Sequence, residues 1–159
     1  VDVPAADAHL QVGVLLGMRL RVAQGGGAEG VHVGAEDMPV RTARSLIGED
    51  KILGATAKTV EVATKAYEDG ADYLGVGAIY PTTTKVKTVL TSTETLDAIT
   101  KAVPIPVNAI GGLNKDNLHV LKGINIAGVC AVSAIMKADS PKEAASELKK
   151  AYERIVKGV

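Results

Sequence analysis

From residue 31 onward, short continuous apolar runs alternate with segments of helical period. The run VHVG (31–34) precedes an amphipathic stretch from Pro39 to Ile47, with Pro39 placed for the first helical position, which predicts strand, loop, helix. KILGAT (51–56) leads into TVEVATKAYEDG, where Thr59 is a candidate N-cap and Gly70 a candidate residue beyond the C-cap. DYLGVGAIY (72–80) leads through PTTTKVKT to a predicted helix around Thr93–Val103. IPVNAIGG (105–112) leads to a predicted helix around Lys115–Lys122. AGVCAVSAI (127–135) precedes the last helix, whose opening SPKE (140–143) joins an N-cap Ser, a Pro at the first helical position and a Glu at the third.

Five successive βα units with unbroken apolar strands imply a parallel sheet, because right-handed crossovers lay helices over its faces. The expected strands are 31–34, 51–56, 73–79, 106–110 and 128–132. A doubly wound sheet fits that count, but glycine and polar residues follow the strands at once, in GAED, GATAK, PTTTK, AIGG and AVSA. Barrel active-site loops lie there, so the reading is α/β, a (β/α)8 TIM-type barrel with a phosphate-binding rim and incomplete N-terminal units. Residues 1–30 are then the incomplete N-terminal portion, and 31–159 five C-terminal βα units of the same single domain. Thirty residues are too few for the three units a full barrel needs before residue 31, so the expectation is that this sequence omits most of them.

Composition narrows the chemistry. Eighteen basic and eighteen acidic residues leave no net charge, which excludes a field suited to nucleic acid or a membrane surface, so any anion must be held locally. The chain contains no Phe or Trp, and its core must be aliphatic, as suits strands buried on both faces. The lone Cys130 sits in an apolar run and reads as a small buried residue; with no internal disulfide and no apolar stretch of membrane-spanning length, the expected location is cytoplasmic.

The candidate chemistry sits after the strands. Gly111, Gly112, Val132 and Ser133 close the last two strands, where glycines let backbone N–H groups approach a phosphate; the alternative is that Gly-Gly turns the chain and Ser133 caps a helix. PTTTK places the hydroxyls of Thr82, Thr83 and Thr84 and the ammonium of Lys85 after the third strand, where they suit a phosphorylated ligand or form a solvated loop. Asp37 in GAED is a candidate Mg²⁺ ligand, since that ion needs only one or two protein carboxylates when substrate phosphates complete its shell; Glu36 and Asp37 also suit a helix start. His9, His32 and His119 show no ligand spacing and read as structural; Asp72 and Asn108 receive no role.

Taken in order, GVHVGAEDMP, KILGATAKT, EDGADYLGVGAIYPTTTK, IPVNAIGG and GVCAVSAI resemble the thiamine phosphate synthase family over roughly residues 28–157. The resemblance implies a transferase that joins a hydroxymethylpyrimidine diphosphate to a hydroxyethylthiazole phosphate, with Mg²⁺ as cofactor and small phosphorylated molecules as partners; assembly into a homo-oligomer stays open. It implies further that Asp37 ligates Mg²⁺, that Thr56 and Lys85 contact the diphosphate, and that Thr82, Thr83, Thr84, Gly112, Val132 and Ser133 hold the thiazole phosphate. Two family features are not found in residues 1–30, a Gln-x-Arg-x-x-x-Lys-like diphosphate motif and an Asn-Asp pair, and Ala35 stands where the family usually has Gln. A phosphate-binding module without catalysis is therefore the rival expectation, and a thiazole tautomerase-like isomerase a third, against which PTTTK argues.

Overall fold

The computed structural model of the chain describes residues 28–82 and 89–158. Within them lie five strands: β1 (Gly30–Val33), β2 (Ile52–Ala57), β3 (Tyr73–Val76), β4 (Val107–Ile110) and β5 (Gly128–Cys130). All four neighbouring pairs are parallel, and the spatial order is β1-β2-β3-β4-β5. A doubly wound sheet reverses direction partway through its strand order, whereas here each strand lies beside its predecessor in sequence. The winding is that of a barrel wall, and the doubly wound alternative is set aside; no closed barrel is found among the described residues.

The register sorts the strands into two faces. Val31, Val33, Leu53, Ala55, Ala57, Leu74, Val76, Val107, Ala109 and Val129 share one parity, and all belong to, or pack on, a single aliphatic core with Ala43, Ile47, Ala63, Ala66, Leu96 and Ile99 from the helices. Fully burying a Leu or Ile side chain contributes about 1.5–3 kcal/mol, and Leu53, Leu74, Leu96 and Ile99 are fully buried. The opposite parity holds His32, Gly54, Thr56, Tyr73, Gly75, Asn108, Gly128 and Cys130, together with Ile52, which is half exposed.

The helices start where their caps direct. Helix α1 (Val40–Ile47) follows Pro39 and stops at Gly48, whose φ of 79° is left-handed. In α2 (Val60–Glu68) the Thr59 side chain accepts from Val62 N at 3.3 Å, satisfying an otherwise orphan amide. Helix α3 (Thr93–Ala102) is capped by Ser92, and α5 (Pro141–Tyr152) by Ser140, with Pro141 at its start. A short α4 (Ser133–Met136) follows β5, and a π-helical stretch, Glu153–Lys157, extends α5.

The helix expected at Lys115–Lys122 is instead a 3₁₀ turn, Leu118–Leu121. Asn114 Oδ1 accepts from Asp116 N and Asn117 Oδ1 accepts from Asn114 N, and such local side-chain bonds compete with α-helix formation. Buried Leu118 and Leu121 are three apart, the spacing that a three-residue turn brings to one side.

At the N-terminal end of the strands, the buried Arg44 joins two successive helix-to-strand connections, those before β2 and β3. Its Nε and Nη2 donate to Gly70 O (3.0 and 2.8 Å), its Nη1 to Gly48 O (2.8 Å) and Lys51 O (2.7 Å), and its Nη2 also to Asp72 Oδ2 (2.6 Å). Asp72 Oδ2 accepts from Leu53 N as well, which gives that residue the structural task the sequence left unassigned. Among the described residues no helix is long and apolar enough to cross a membrane.

Candidate active site

Because every strand runs the same way, the segments that follow them gather on one rim. Asp37, Thr82, Gly111, Gly112, Val132 and Ser133 all lie there, with Thr56 at the C-terminal end of β2. Thr83, Thr84 and Lys85 lie outside the described residues, as do His9 and most of the N-terminal portion 1–30.

After β1, Asp37 N donates to Gly34 O (3.1 Å) and Asp37 Oδ2 accepts from Gly34 N (2.7 Å), so the carboxylate closes its own turn. Asp37 is exposed, and its other oxygen, Oδ1, is not used by that turn. No group of three or more His, Cys, Asp or Glu suited to a metal occurs among the described residues. A single exposed carboxylate still matches what Mg²⁺ requires when phosphate oxygens and waters supply the remainder of its shell.

After β4, the Gly111–Gly112 turn packs directly on the segment leaving β3. Ile79 N donates to Ile110 O and Tyr80 N to Gly111 O, both at 3.0 Å. Gly111 has φ 103° and Gly112 φ 64°, both in the left-handed range that glycine adopts without steric cost. A Cβ on Gly111 would collide with Ala78, and one on Gly112 would lie 2.6 Å from Tyr80 Cβ and 2.8 Å from Pro81 O. The glycines therefore turn the chain and bring it against the start of the Thr-rich loop. A trans peptide points its N–H opposite to its C=O, so binding Gly111 O to Tyr80 turns the Gly112 N–H away from that loop. Among the described residues nothing accepts from Gly112 N. After β5, Val132 is exposed and Ser133 is the first residue of α4; the cap position is Val132, with no side-chain cap bond, so Ser133 is not the cap.

The opposite parity of the strands carries a side-chain cluster centred on His32, whose partners the sequence did not indicate. His32 Nε2 lies 3.0 Å from Thr56 Oγ1, and Nδ1 lies 3.1 Å from Tyr73 Oη. Thr56, assigned to a diphosphate, is thus held by a histidine from the neighbouring strand. Glycine spacing makes this possible: a Cβ on Gly54 would strike both His32 Nδ1 and the Tyr73 ring. The signal was in the alternation, since His32 shares parity with Gly30 and Gly34 while Val31 and Val33 take the helix-covered face. Burial pushes the Tyr73 phenol up, with the neighbouring Cys130 adding to it, and burial pushes the Cys130 thiol up in turn. A thiol kept protonated at neutral pH is a poor nucleophile, so the site holds no activated cysteine.

A singly wound parallel wall with its polar loops on one rim and its glycine turns pinned between adjacent loops defines a (β/α)-barrel enzyme scaffold. The profile of the family described as thiamine monophosphate synthase matches residues 3–135. The chain is 45% identical over 147 residues to a thiamine-phosphate synthase of Clostridium tetani, covering 92% of this chain and 70% of the relative. It is 48% identical over 141 residues to that of Methanobrevibacter smithii, covering 89% and 68%. The solved thiamine phosphate pyrophosphorylase from Pyrococcus furiosus superposes with a TM-score of 0.77 at 39% identity, over 86% of this chain and 65% of that one. The chain belongs to the thiamine monophosphate synthase family, a family of transferases, and spans about two-thirds of the length of these relatives. The profile match extends into residues 3–27, N-terminal to the span of roughly 28–157 over which the motifs carry the resemblance.

Proposed function

We propose that this chain is a thiamine-phosphate synthase, joining a pyrimidinylmethyl group to hydroxyethylthiazole phosphate on the strand-end rim. The observation that carries the reading is the Gly111–Gly112 turn, pinned against Tyr80 and Pro81 so that the Gly112 N–H is turned away from the loop and takes no acceptor among the described residues. Oriented amides of this kind suit a phosphate, and Val132 and Ser133 stand after the adjacent strand. Thr82 to Thr84 would add hydroxyl donors from the neighbouring loop.

In the reaction, the bond from the pyrimidine methylene carbon to the diphosphate oxygen breaks, and its electron pair leaves with pyrophosphate. The ring amino group stabilises the resulting cation, and the thiazole nitrogen supplies the pair for the new C–N bond. The protein need only hold the two partners in line and offset the departing charge, so no protein nucleophile is required. Lys85 offsets that charge as a point cation, and Thr56, oriented by His32, donates its hydroxyl to the diphosphate. Asp37 would hold Mg²⁺, which when bound neutralises diphosphate charge.

The direct test mixes the purified chain with hydroxymethylpyrimidine diphosphate, hydroxyethylthiazole phosphate and Mg²⁺, and follows pyrophosphate and thiamine phosphate together. Equal amounts of both support the reading; tight thiazole phosphate binding without pyrophosphate release would replace it with a phosphate-binding module. Asp37→Ala should weaken Mg²⁺-dependent diphosphate binding about tenfold, the loss of one charged ligand, with thiazole phosphate affinity unchanged. Diphosphate affinity equal with and without Mg²⁺ in both proteins would remove Asp37 from that role.

A further inference from the structure

We infer that Asn117 is a positioning residue for the phosphate-binding turn, acting through Gly112 without touching the ligand; this rests on the thiazole phosphate reading of the rim. Asn117 Nδ2 donates to Gly112 O at 2.9 Å, and Asn117 Oδ1 accepts from Asn114 N at 2.8 Å. One side-chain amide therefore closes the loop that follows the glycine pair, using both its donor and its acceptor. Asn117 N also donates to Asn114 O at 3.2 Å, which fixes the backbone that carries the amide.

The consequence lies in the two peptide planes that flank Gly112. The first is held from one side, because Gly111 O accepts from Tyr80 N. The second is held by Asn117, because Gly112 O accepts from its Nδ2. Gly112 sits at φ 64° between them. Glycine has more conformational freedom to lose than any other residue, so a turn built on it keeps one geometry only when both adjoining planes are fixed. With Asn117 removed, the second plane is free to rotate, the turn samples other conformations, and the amides must be ordered again each time a phosphate binds. That ordering cost falls on the phosphate and not on the thiazole ring.

The test compares the affinities of hydroxyethylthiazole phosphate and its unphosphorylated alcohol in the wild-type chain, Asn117→Ala and Asn117→Asp. The ratio of the two isolates the phosphate contribution, which a loss of general stability would not change. In the wild type the phosphate ester should bind more tightly than the alcohol. In Asn117→Ala the ratio should fall about tenfold, the worth of one lost hydrogen bond, while alcohol affinity stays within about twofold. Asn117→Asp keeps the volume and the acceptor toward Asn114 N but loses the donor toward Gly112 O, and serves if the alanine variant does not fold. Its loss should persist in about 0.5 M KCl, where repulsion between the new carboxylate and the ligand is screened. An unchanged ratio with a lowered melting temperature would make Asn117 structural and overturn the inference while leaving the rim reading intact. A wild-type chain that binds ester and alcohol equally would overturn both.

Discussion

The two ends of the sheet are built in different ways. At the N-terminal end a single guanidinium draws together Gly48, Lys51, Gly70 and Asp72, so two helix-to-strand connections close on one buried side chain. At the C-terminal end the segments after β3 and β4 are joined backbone to backbone, from Ile79 to Ile110 and from Tyr80 to Gly111, while Asp37 and Asn117 side chains close only their own loops. A side-chain hub fills its own space and leaves no group free for a ligand. A rim held by carbonyls leaves the matching N–H groups turned outward. The contrast separates the end that maintains the fold from the end that carries the proposed site, a division typical of βα-barrels.

The sharpest way to break this comparison is Arg44→Ala, which leaves three carbonyls and the Asp72 carboxylate without their donor. Unfolding in urea should show a loss of about 3 kcal/mol, and the ratio of phosphate ester to alcohol affinity should not move. Arg44→Lys should recover little of the loss, because one ammonium cannot reproduce the guanidinium's fork. A change in the ligand ratio would mean that the two ends are not separable.

The reverse case is Gly112→Ala. A methyl there meets Tyr80 Cβ at 2.6 Å on a residue with positive φ, so the turn must shift away from the Thr-rich loop. Phosphate ester affinity should drop roughly 30-fold, about 2 kcal/mol, more than the loss in global stability. Calorimetric titration set beside urea unfolding decides it; a purely global loss would demote the turn to scaffolding.

The smallest effect expected is that of Thr59→Ala. Thr59 follows β2 at the rim end, yet its hydroxyl accepts from Val62 N and so serves α2. Its removal should cost about 1 kcal/mol of stability with ligand affinities unchanged, which would show that position on the rim does not by itself confer a binding role.

Much of this was legible in the pattern of residues. The five strands, their common direction and the caps at Thr59 and Ser140 follow from apolar runs and local chemistry, because burial on both faces and orphan amides at helix starts are short-range requirements. The Lys115–Lys122 helix failed because Asn114 and Asn117 turn their side chains on the backbone, a competition that periodicity does not register. Asp72 received no role and Arg44 was not singled out because their bond joins residues 28 apart, a pairing set only by tertiary packing. His32 reads as structural from its spacing, but which partners it takes is not legible there, because Thr56 and Tyr73 meet it only across the strand register.

Gly54 places a restriction on how this protein can change. Its missing side chain is the space that the His32 and Tyr73 rings occupy, with centroids 5.5 Å apart. Volume along that row is shared among three strands, so position 54 can gain a methyl group only if a neighbour gives one up. Single substitutions there are closed off, and the accessible routes are concerted ones, such as Gly54→Ala together with smaller residues at His32 and Tyr73. A library that randomises one position at a time will report this row as immutable, while one that varies positions 32, 54 and 73 together will find it adaptable.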